Sequence, residues 1–240
     1  MSKEILGLEV SSKVIRYIFL KKKFMQVVVS GYGVVSLEQD PSVRDPKILA
    51  DAIKRIVIKE ASSPSKQFIV PCAEDVFIHQ INVPKMSEKQ LSEVIHDEIE
   101  RFPALAQKEF EYASSDFSLD EERLSILFAG LTKEKKDYYI QGARKAGIPL
   151  EGLEIAPLNL WDVLSLRADK MASEALLVLD ERYSYLLIFS AQELKFFYKM
   201  STGKNDLYSQ GSAINNSVFF SWTEEIKRLF KSYTREYRVG

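Results

Sequence analysis

The first part of the chain alternates short apolar runs with polar turns, as consecutive β-strands do. Apolar runs cover residues 5–10, 14–20 and 24–29, and polar residues 11–13 and the lysines at 21–23 separate them. Alternation over such lengths is typical of strands joined by tight turns. The pattern predicts an antiparallel three-stranded meander.

A helix and two further strands are predicted next. Residues 45–60 place their apolar side chains on one stripe at helical spacing, and residues 68–70 and 76–83 return to strand patterns. Ser87 with Gln90 three positions later is a capping box, in which each residue satisfies a free N–H group of the other at a helix start. A second helix is therefore predicted to begin there.

The segment after Pro84 predicts a small α+β insertion. Two strand patterns, residues 109–117 and 124–131, are followed by a polar helix at about 133–146 and by Gly147. We interpret Gly147 as the end of that helix, because glycine readily adopts the left-handed conformation found there.

A second block repeats the pattern of the first. Strands are predicted at residues 175–179, 185–189 and 194–200, and the first of them ends in an acid, Asp180, as the first strand of the chain carries Glu9. Aligning these two acids gives an offset of 171 residues (180 minus 9).

The chain is predicted to end in an aromatic helix. Ser221 and Glu224 have capping-box spacing, and the helix is expected to include residues 226–237. We expect most of its aromatic residues to pack in the core. Large apolar side chains lie close to all round the helix, so another chain is expected to cover some of them.

Composition narrows the classes of partner and the compartment. The 240 residues carry a net charge of −1 with a pI near 6.2, which gives no bulk electrostatic attraction for nucleic acid or anionic lipid. The single cysteine, Cys72, cannot form an internal disulfide. Without a long apolar run or a signal-peptide pattern, the chain is expected to be cytoplasmic, and it could still be part of a longer protein.

Several segments together resemble the PilM/GspL kind of actin-like protein. Residues 7–16 are similar to the first phosphate loop of the actin superfamily. Residues 81–91 with 98–103 are similar to the segment that enters the inserted subdomain in PilM proteins. Residues 146–154 are similar to the segment that returns from that subdomain. Residues 195–203 are similar to the strand and glycine turn of the second half.

The resemblance implies a shortened actin-like (RNase H-like) α/β ATPase fold with an FtsA-type inserted α+β subdomain. The first subdomain would comprise residues 1–83 with 151–172, the insertion residues 84–150, and the second subdomain residues 173–240. The fourth subdomain would be absent or reduced. The two hairpins are then expected to face each other across a cleft.

The implied nucleotide site departs from the family pattern. Its residues would be Glu9, Ser11, Ser12, Lys13, Asp180 and Gly203. Serine stands at position 11 where the family loop has glycine, and Glu181 would repel a phosphate. The sequence therefore predicts no catalytic residue, no metal and no cofactor, and it leaves an ATP- and magnesium-binding switch as the alternative.

The resemblance also implies partners. A cytoplasmic scaffold of a type IV pilus or type II secretion platform would dock the N-terminal tail of a PilN-like membrane protein and the secretion ATPase, beside the inner membrane, and a homodimer is left open. Predicted groove residues are Val83, Pro84, Met86, Leu91, Leu124, Ile126 and Phe128.

The sequence gives little support for zinc binding or for catalysis by a nucleophilic serine. His79 and His96 have no ligands at zinc spacing, and no serine lies in a nucleophile elbow. The lysines at 21–23 form either a solvated hairpin tip, which we favour, or a contact with lipid headgroups.

Overall fold

The computed structural model describes residues 4–24, 26–37, 44–103, 105–118, 121–165, 173–190, 193–208 and 213–237. The chain divides into two compact units. Unit 1 comprises Met1–Phe77, Pro103–Glu111 and Gly130–Asn159, and unit 2 comprises Ile78–Phe102, Tyr112–Ala129 and Leu160–Gly240.

Unit 1 contains a five-stranded sheet. Strands β1 (Glu4–Val10), β2 (Val14–Lys23) and β3 (Gln26–Ser36) form the predicted antiparallel meander. Strands β4 (Lys66–Val70) and β8 (Leu150–Leu153) extend it in parallel on the other side of β1, giving the order β3-β2-β1-β4-β8.

Two helices complete unit 1, because alternate residues of β1 and β2 need an apolar cover. Helix α1 (Pro46–Lys59) begins at Asp45, whose carboxylate accepts from the Lys47 N–H. Helix α3 (Lys133–Ala146) ends at Gly147 with φ 81°, as predicted. Both helices contribute to one core, whose buried members include Leu6, Leu8, Phe19, Leu49, Ile53, Ile56, Tyr139 and Ala143.

Helix α3 lies in unit 1 and not in the inserted segment to which the sequence analysis assigned it. It was assigned to the insertion, but Gly142 lies so close to Leu49 of α1 that an added Cβ would come within 2.5 Å of Leu49 Cδ2. The tyrosines and small residues of α3 pack on α1, so the helix belongs to the core of unit 1. The three predicted subdomain boundaries otherwise stay a prediction.

Unit 2 contains two three-stranded sheets. Strands β5 (Phe77–Pro84), β6 (Phe110–Ser118) and β7 (Arg123–Thr132) form one, in the order β5-β7-β6, with β7 at the centre. Helix α2 (Glu88–Glu100) follows β5 and begins with the predicted capping box: the Ser87 N–H donates to Gln90 Oε1 at 3.0 Å.

The second sheet of unit 2 is the predicted second meander, β9 (Ser173–Leu179), β10 (Ser184–Ser190) and β11 (Glu193–Met200), in the order β11-β10-β9. Helix α4 (Ala156–Ser165) precedes it, and the short α5 (Lys204–Leu207) follows it.

The final helix α6 spans Asn216–Tyr237 and therefore begins earlier than the predicted capping box at Ser221. Asn215 precedes it and accepts from the Phe219 N–H through its carbonyl, at 2.9 Å, so the side chain of Ser221 is not needed as a cap. Trp222 and Tyr233 pack on β10 and β11, whereas Phe220 is exposed. Within the described part of the chain, no helix is both long and apolar enough to cross a membrane.

Candidate functional site

The first predicted loop is closed by its own hydrogen bonds. The Ser11 N–H donates to the Val14 carbonyl at 2.9 Å. Ser11 Oγ donates to the same carbonyl at 3.0 Å and accepts from the N–H groups of Val14 at 3.1 Å and Lys13 at 3.4 Å. The Ser11 hydroxyl therefore occupies backbone N–H groups that a phosphate bound at this turn would need.

Glu9 of this loop is neutralised by a cross-strand neighbour. Glu9 and Arg16 are directly paired in the β1–β2 register, and Arg16 Nη1 lies 3.2 Å from Glu9 Oε1. Both side chains are nearly half exposed, so the pair contributes little stability. The pair places a guanidinium beside the carboxylate of Glu9, which the resemblance implies as part of the nucleotide site.

The second predicted loop uses the same kind of turn. The Asp180 N–H donates to the Tyr183 carbonyl at 2.9 Å, and Asp180 Oδ1 accepts from the Glu181 N–H at 2.6 Å. The carboxylate is thus already hydrogen-bonded within its own turn.

Gly203 is brought against this second turn. A Cβ at Gly203 would lie 2.3 Å from the Arg182 carbonyl carbon and 2.5 Å from the Tyr183 nitrogen, so only glycine permits the approach. The Lys204 N–H then donates to the Asp180 carbonyl at 2.8 Å, and the Gly203 N–H donates to Asp206 Oδ2 at 2.9 Å.

The register of the two hairpins corrects the predicted alignment. Val10 pairs with Ile15 in the first hairpin and Leu179 with Ser184 in the second, so the two turns have equal length. Asp180 is therefore equivalent to Ser11, with an offset of 169 residues (180 minus 11) instead of 171. The acids Glu9 and Asp180 are not equivalent, because Glu9 lies inside a strand and Asp180 lies in the turn.

The predicted nucleotide residues fall into two groups. The structure brings Glu9, Ser11, Ser12 and Lys13 together in unit 1, and it brings Asp180 and Gly203 together in unit 2. That these two loops face each other across a cleft stays a prediction. Within the described residues, no group of three or more His, Cys, Asp or Glu side chains could hold a metal ion.

The predicted groove residues divide by burial. Val83, Met86, Leu91 and Leu124 are half-buried and Pro84 is exposed. The Lys85 N–H donates to the Glu122 carbonyl at 2.8 Å, which joins the end of β5 to the segment just before β7. The half-buried apolar residues at the end of β5 and the start of β7 therefore lie at one end of this sheet, which we call the β5–β7 end.

Ile126 and Phe128 have no exposed surface. Phe128 makes edge-to-face contacts with the rings of His79 and Tyr112, with centroids 5.7 and 6.3 Å apart. His79 in turn lies 3.2 Å from Glu98 of α2. Because the side chains of Ile126 and Phe128 are fully buried, a docked peptide could not reach them in this structure.

One contact that the sequence analysis missed joins the two sheets of unit 2. The Gln80 side chain accepts from the Phe197 N–H and donates to the Lys195 carbonyl at 3.0 Å and to Ser125 Oγ at 2.6 Å. The amide pairs with the edge of β11 as a neighbouring strand would. The only sequence signal was a polar residue within the apolar pattern of β5.

A meander extended by two parallel strands, followed by a second meander in the same chain, is an actin-like fold. That helix α2 and the β5-β7-β6 sheet form the inserted α+β subdomain stays a prediction.

Comparison with solved structures supports the actin-like fold. A chain of the PilM–PilN type IV pilus biogenesis complex superposes with a TM-score of 0.68 and 20% identity, over 98% of this chain and 72% of that chain. The cytoplasmic domain of EpsL, an inner membrane component of the type II secretion system of Vibrio cholerae, gives 0.50 and 14%, over 88% and 80%. The predicted resemblance to PilM/GspL-type proteins is thus confirmed for the fold.

The fold alone does not fix a function. An exopolyphosphatase from Cytophaga hutchinsonii also superposes, with a TM-score of 0.50 and 6% identity over 97% of this chain and 63% of its own. No family model matches this chain, and no curated protein matches it.

Proposed function

We propose that this chain is a non-catalytic, actin-like scaffold of a type IV pilus or type II secretion assembly. It docks the cytoplasmic tail of a PilN-like membrane protein, holds the secretion ATPase and lies beside the inner membrane through these partners. The PilM–PilN complex and the EpsL domain, with which it shares its fold, come from assemblies of these two kinds.

The observation that supports a non-catalytic role is the closure of both hairpin turns. Ser11 Oγ and Asp180 Oδ1 each accept from backbone N–H groups of their own turn. Opening either turn to a triphosphate would break bonds that the free protein already has, and Glu181 would add like-charge repulsion. The rival function, an ATP-dependent switch, requires both turns to rearrange.

Docking is assigned to the β5–β7 end. Half-buried Val83, Met86 and Leu124 offer apolar contact area without needing the core to open. An extended peptide could also add backbone hydrogen bonds at the edge strands β5 or β6, the usual way in which a sheet binds a peptide.

Fluorescence anisotropy with labelled N-terminal peptides of membrane proteins from the same organism tests this proposal. Met86→Lys and Leu124→Lys should each weaken binding about tenfold or more, since a charge would be desolvated in an apolar contact. The matched control is Ile58→Lys on α1, a residue that is 77% exposed in unit 1. Equal loss in the control, or no loss in either groove variant, would refute the assignment.

A further inference from the structure

The tip of the β2–β3 hairpin is unusual in both backbone and side chain. Lys23 pairs with Gln26, and Phe24 directly follows Lys23. Phe24 has φ 54°, in the left-handed region that glycine and asparagine favour, and its side chain is 100% exposed. A bulky residue with this φ is conformationally strained. Because the Phe24 side chain is fully exposed, no packing contact offsets that strain.

The charge around this tip is positive. Lys21 forms an ion pair at 3.0 Å with the buried carboxylate of Glu4, so its charge is partly compensated. Lys22 and Lys23 lie beyond it, and both side chains are exposed. Because neighbouring strand residues point to opposite faces, these two lysines flank Phe24 on both sides of the hairpin.

An apolar strip runs back from the tip along one face of the hairpin. Val27 is the strand partner of Lys22, Val29 of Leu20 and Tyr32 of Ile18, so these β3 residues share a face. Val27, Val29 and Tyr32 are 68%, 55% and 78% exposed. Such exposure of adjacent large apolar residues marks an interaction surface.

We propose that this hairpin tip docks onto an anionic lipid bilayer. Phe24 would enter the interface between headgroups and acyl chains, Lys22 and Lys23 would contact lipid phosphates, and Val27 would follow Phe24 into the apolar boundary. An exposed aromatic ring flanked by lysines suits this boundary, where one side is apolar and the other is negatively charged. The proposal is independent of the function of the β5–β7 end.

Vesicle flotation tests the proposal. The protein should float with vesicles of equimolar phosphatidylcholine and phosphatidylglycerol at low ionic strength, and it should not float with phosphatidylcholine alone. Binding should weaken as salt is added, because salt screens the lysines. Failure to float with the anionic vesicles at low salt would overturn the proposal.

Substitutions at Phe24 and Lys23 test whether the hairpin tip is the part of the protein that contacts lipid. Phe24→Asn should reduce vesicle binding about tenfold through the lost apolar contact, while its thermal stability stays equal or rises, because asparagine tolerates φ 54°. Lys23→Gln should reduce binding about fivefold, the effect of one lysine at an anionic surface. The matched control is Phe220→Gln on α6, at a phenylalanine that is 66% exposed, and it should bind as the unchanged protein does.

Two results would contradict the assignment. Vesicle binding of Phe24→Asn equal to that of the unchanged protein would show that the tip does not contact lipid. A concentration-dependent dimer that is lost in Phe24→Asn, with no flotation of the unchanged protein, would instead identify the strip as a surface for a second copy of this chain.

Discussion

Ser11 and Asp180 occupy the same position in two hairpin turns of equal length. Each donates its N–H to the carbonyl of the third residue onward, Val14 or Tyr183, and both distances are 2.9 Å. Each also uses its side-chain oxygen to accept from a backbone N–H of the same turn. Both turns are therefore satisfied by hydrogen bonds within the turn itself.

Ser11→Ala should destabilise the protein by about 1 kcal/mol, because the Val14 N–H loses its acceptor. Chemical denaturation measures this loss. Ser12→Ala, the neighbouring serine of the same turn, is the matched control and should change the free energy of unfolding by less than about 0.5 kcal/mol. Similar losses for the two variants would show that the Ser11 hydroxyl does not hold the turn.

Gly203→Ala should be strongly destabilising, by about 3 kcal/mol, because its Cβ would meet backbone atoms of Arg182 and Tyr183 that cannot move aside. Thermal unfolding provides the measurement. Gly152→Ala is the control, since its Cβ would first meet the Glu154 carboxylate at 3.4 Å, which is an ordinary contact. A mild effect at Gly203 would mean that the second turn and α5 are not packed as described.

Gln80→Glu should cost about 2 kcal/mol, because a carboxylate oxygen would replace the amide group that donates to the Lys195 carbonyl. Gln141→Glu on the exposed side of α3 is the control and should be near neutral. Chemical denaturation measures the free energy of unfolding of both variants. An equal value for Gln80→Glu and the unchanged protein would exclude the contact in which Gln80 donates to the Lys195 carbonyl.

The free energy of unfolding should fall in acid because the carboxylate of Glu4 becomes protonated. Burial raises the pKa of its carboxyl, but hydrogen bonds from Ser62 and Ser30 and the charge of Lys21 outweigh burial and hold the pKa below its ordinary value of 4.5. A depressed pKa in the folded state contributes stability that is full above pH 4.5 and is lost as pH falls through the folded pKa.

Glu4→Gln should therefore lower the free energy of unfolding by about 1 to 2 kcal/mol at neutral pH and by less in acid. Denaturation curves at several pH values measure the difference. Glu151→Gln, at an exposed glutamate paired with Lys66, is the control and should show no such pH dependence. A constant difference between Glu4→Gln and the unchanged protein across the acid range would contradict the assignment.

Local patterns in the sequence predicted most elements, because strand alternation, the Ser87 cap and the Gly147 stop depend on neighbouring residues. The resemblance supplied the fold. The sequence analysis aligned Asp180 with Glu9, whereas the structure aligns Asp180 with Ser11. The two acids can be seen in the sequence, but the hydrogen-bond register that decides the alignment cannot.

The groove prediction shows a second limit. Ile126 and Phe128 were chosen as apolar residues of a strand, but β7 is the central strand of its sheet, and residues 125–130 are all buried. A strand covered on both faces shows a continuous apolar run, which carries no alternation to tell an inner face from an outer one.

The central claim is that neither closed turn accepts a nucleotide, and thermal unfolding with magnesium and ATP tests it most directly. A ligand at a hundred times its dissociation constant would add about 2.7 kcal/mol to the free energy of unfolding. We expect the melting temperature to stay unchanged at millimolar ATP. A rise with ATP that Asp180→Ala abolishes would contradict the claim and establish a nucleotide-binding switch.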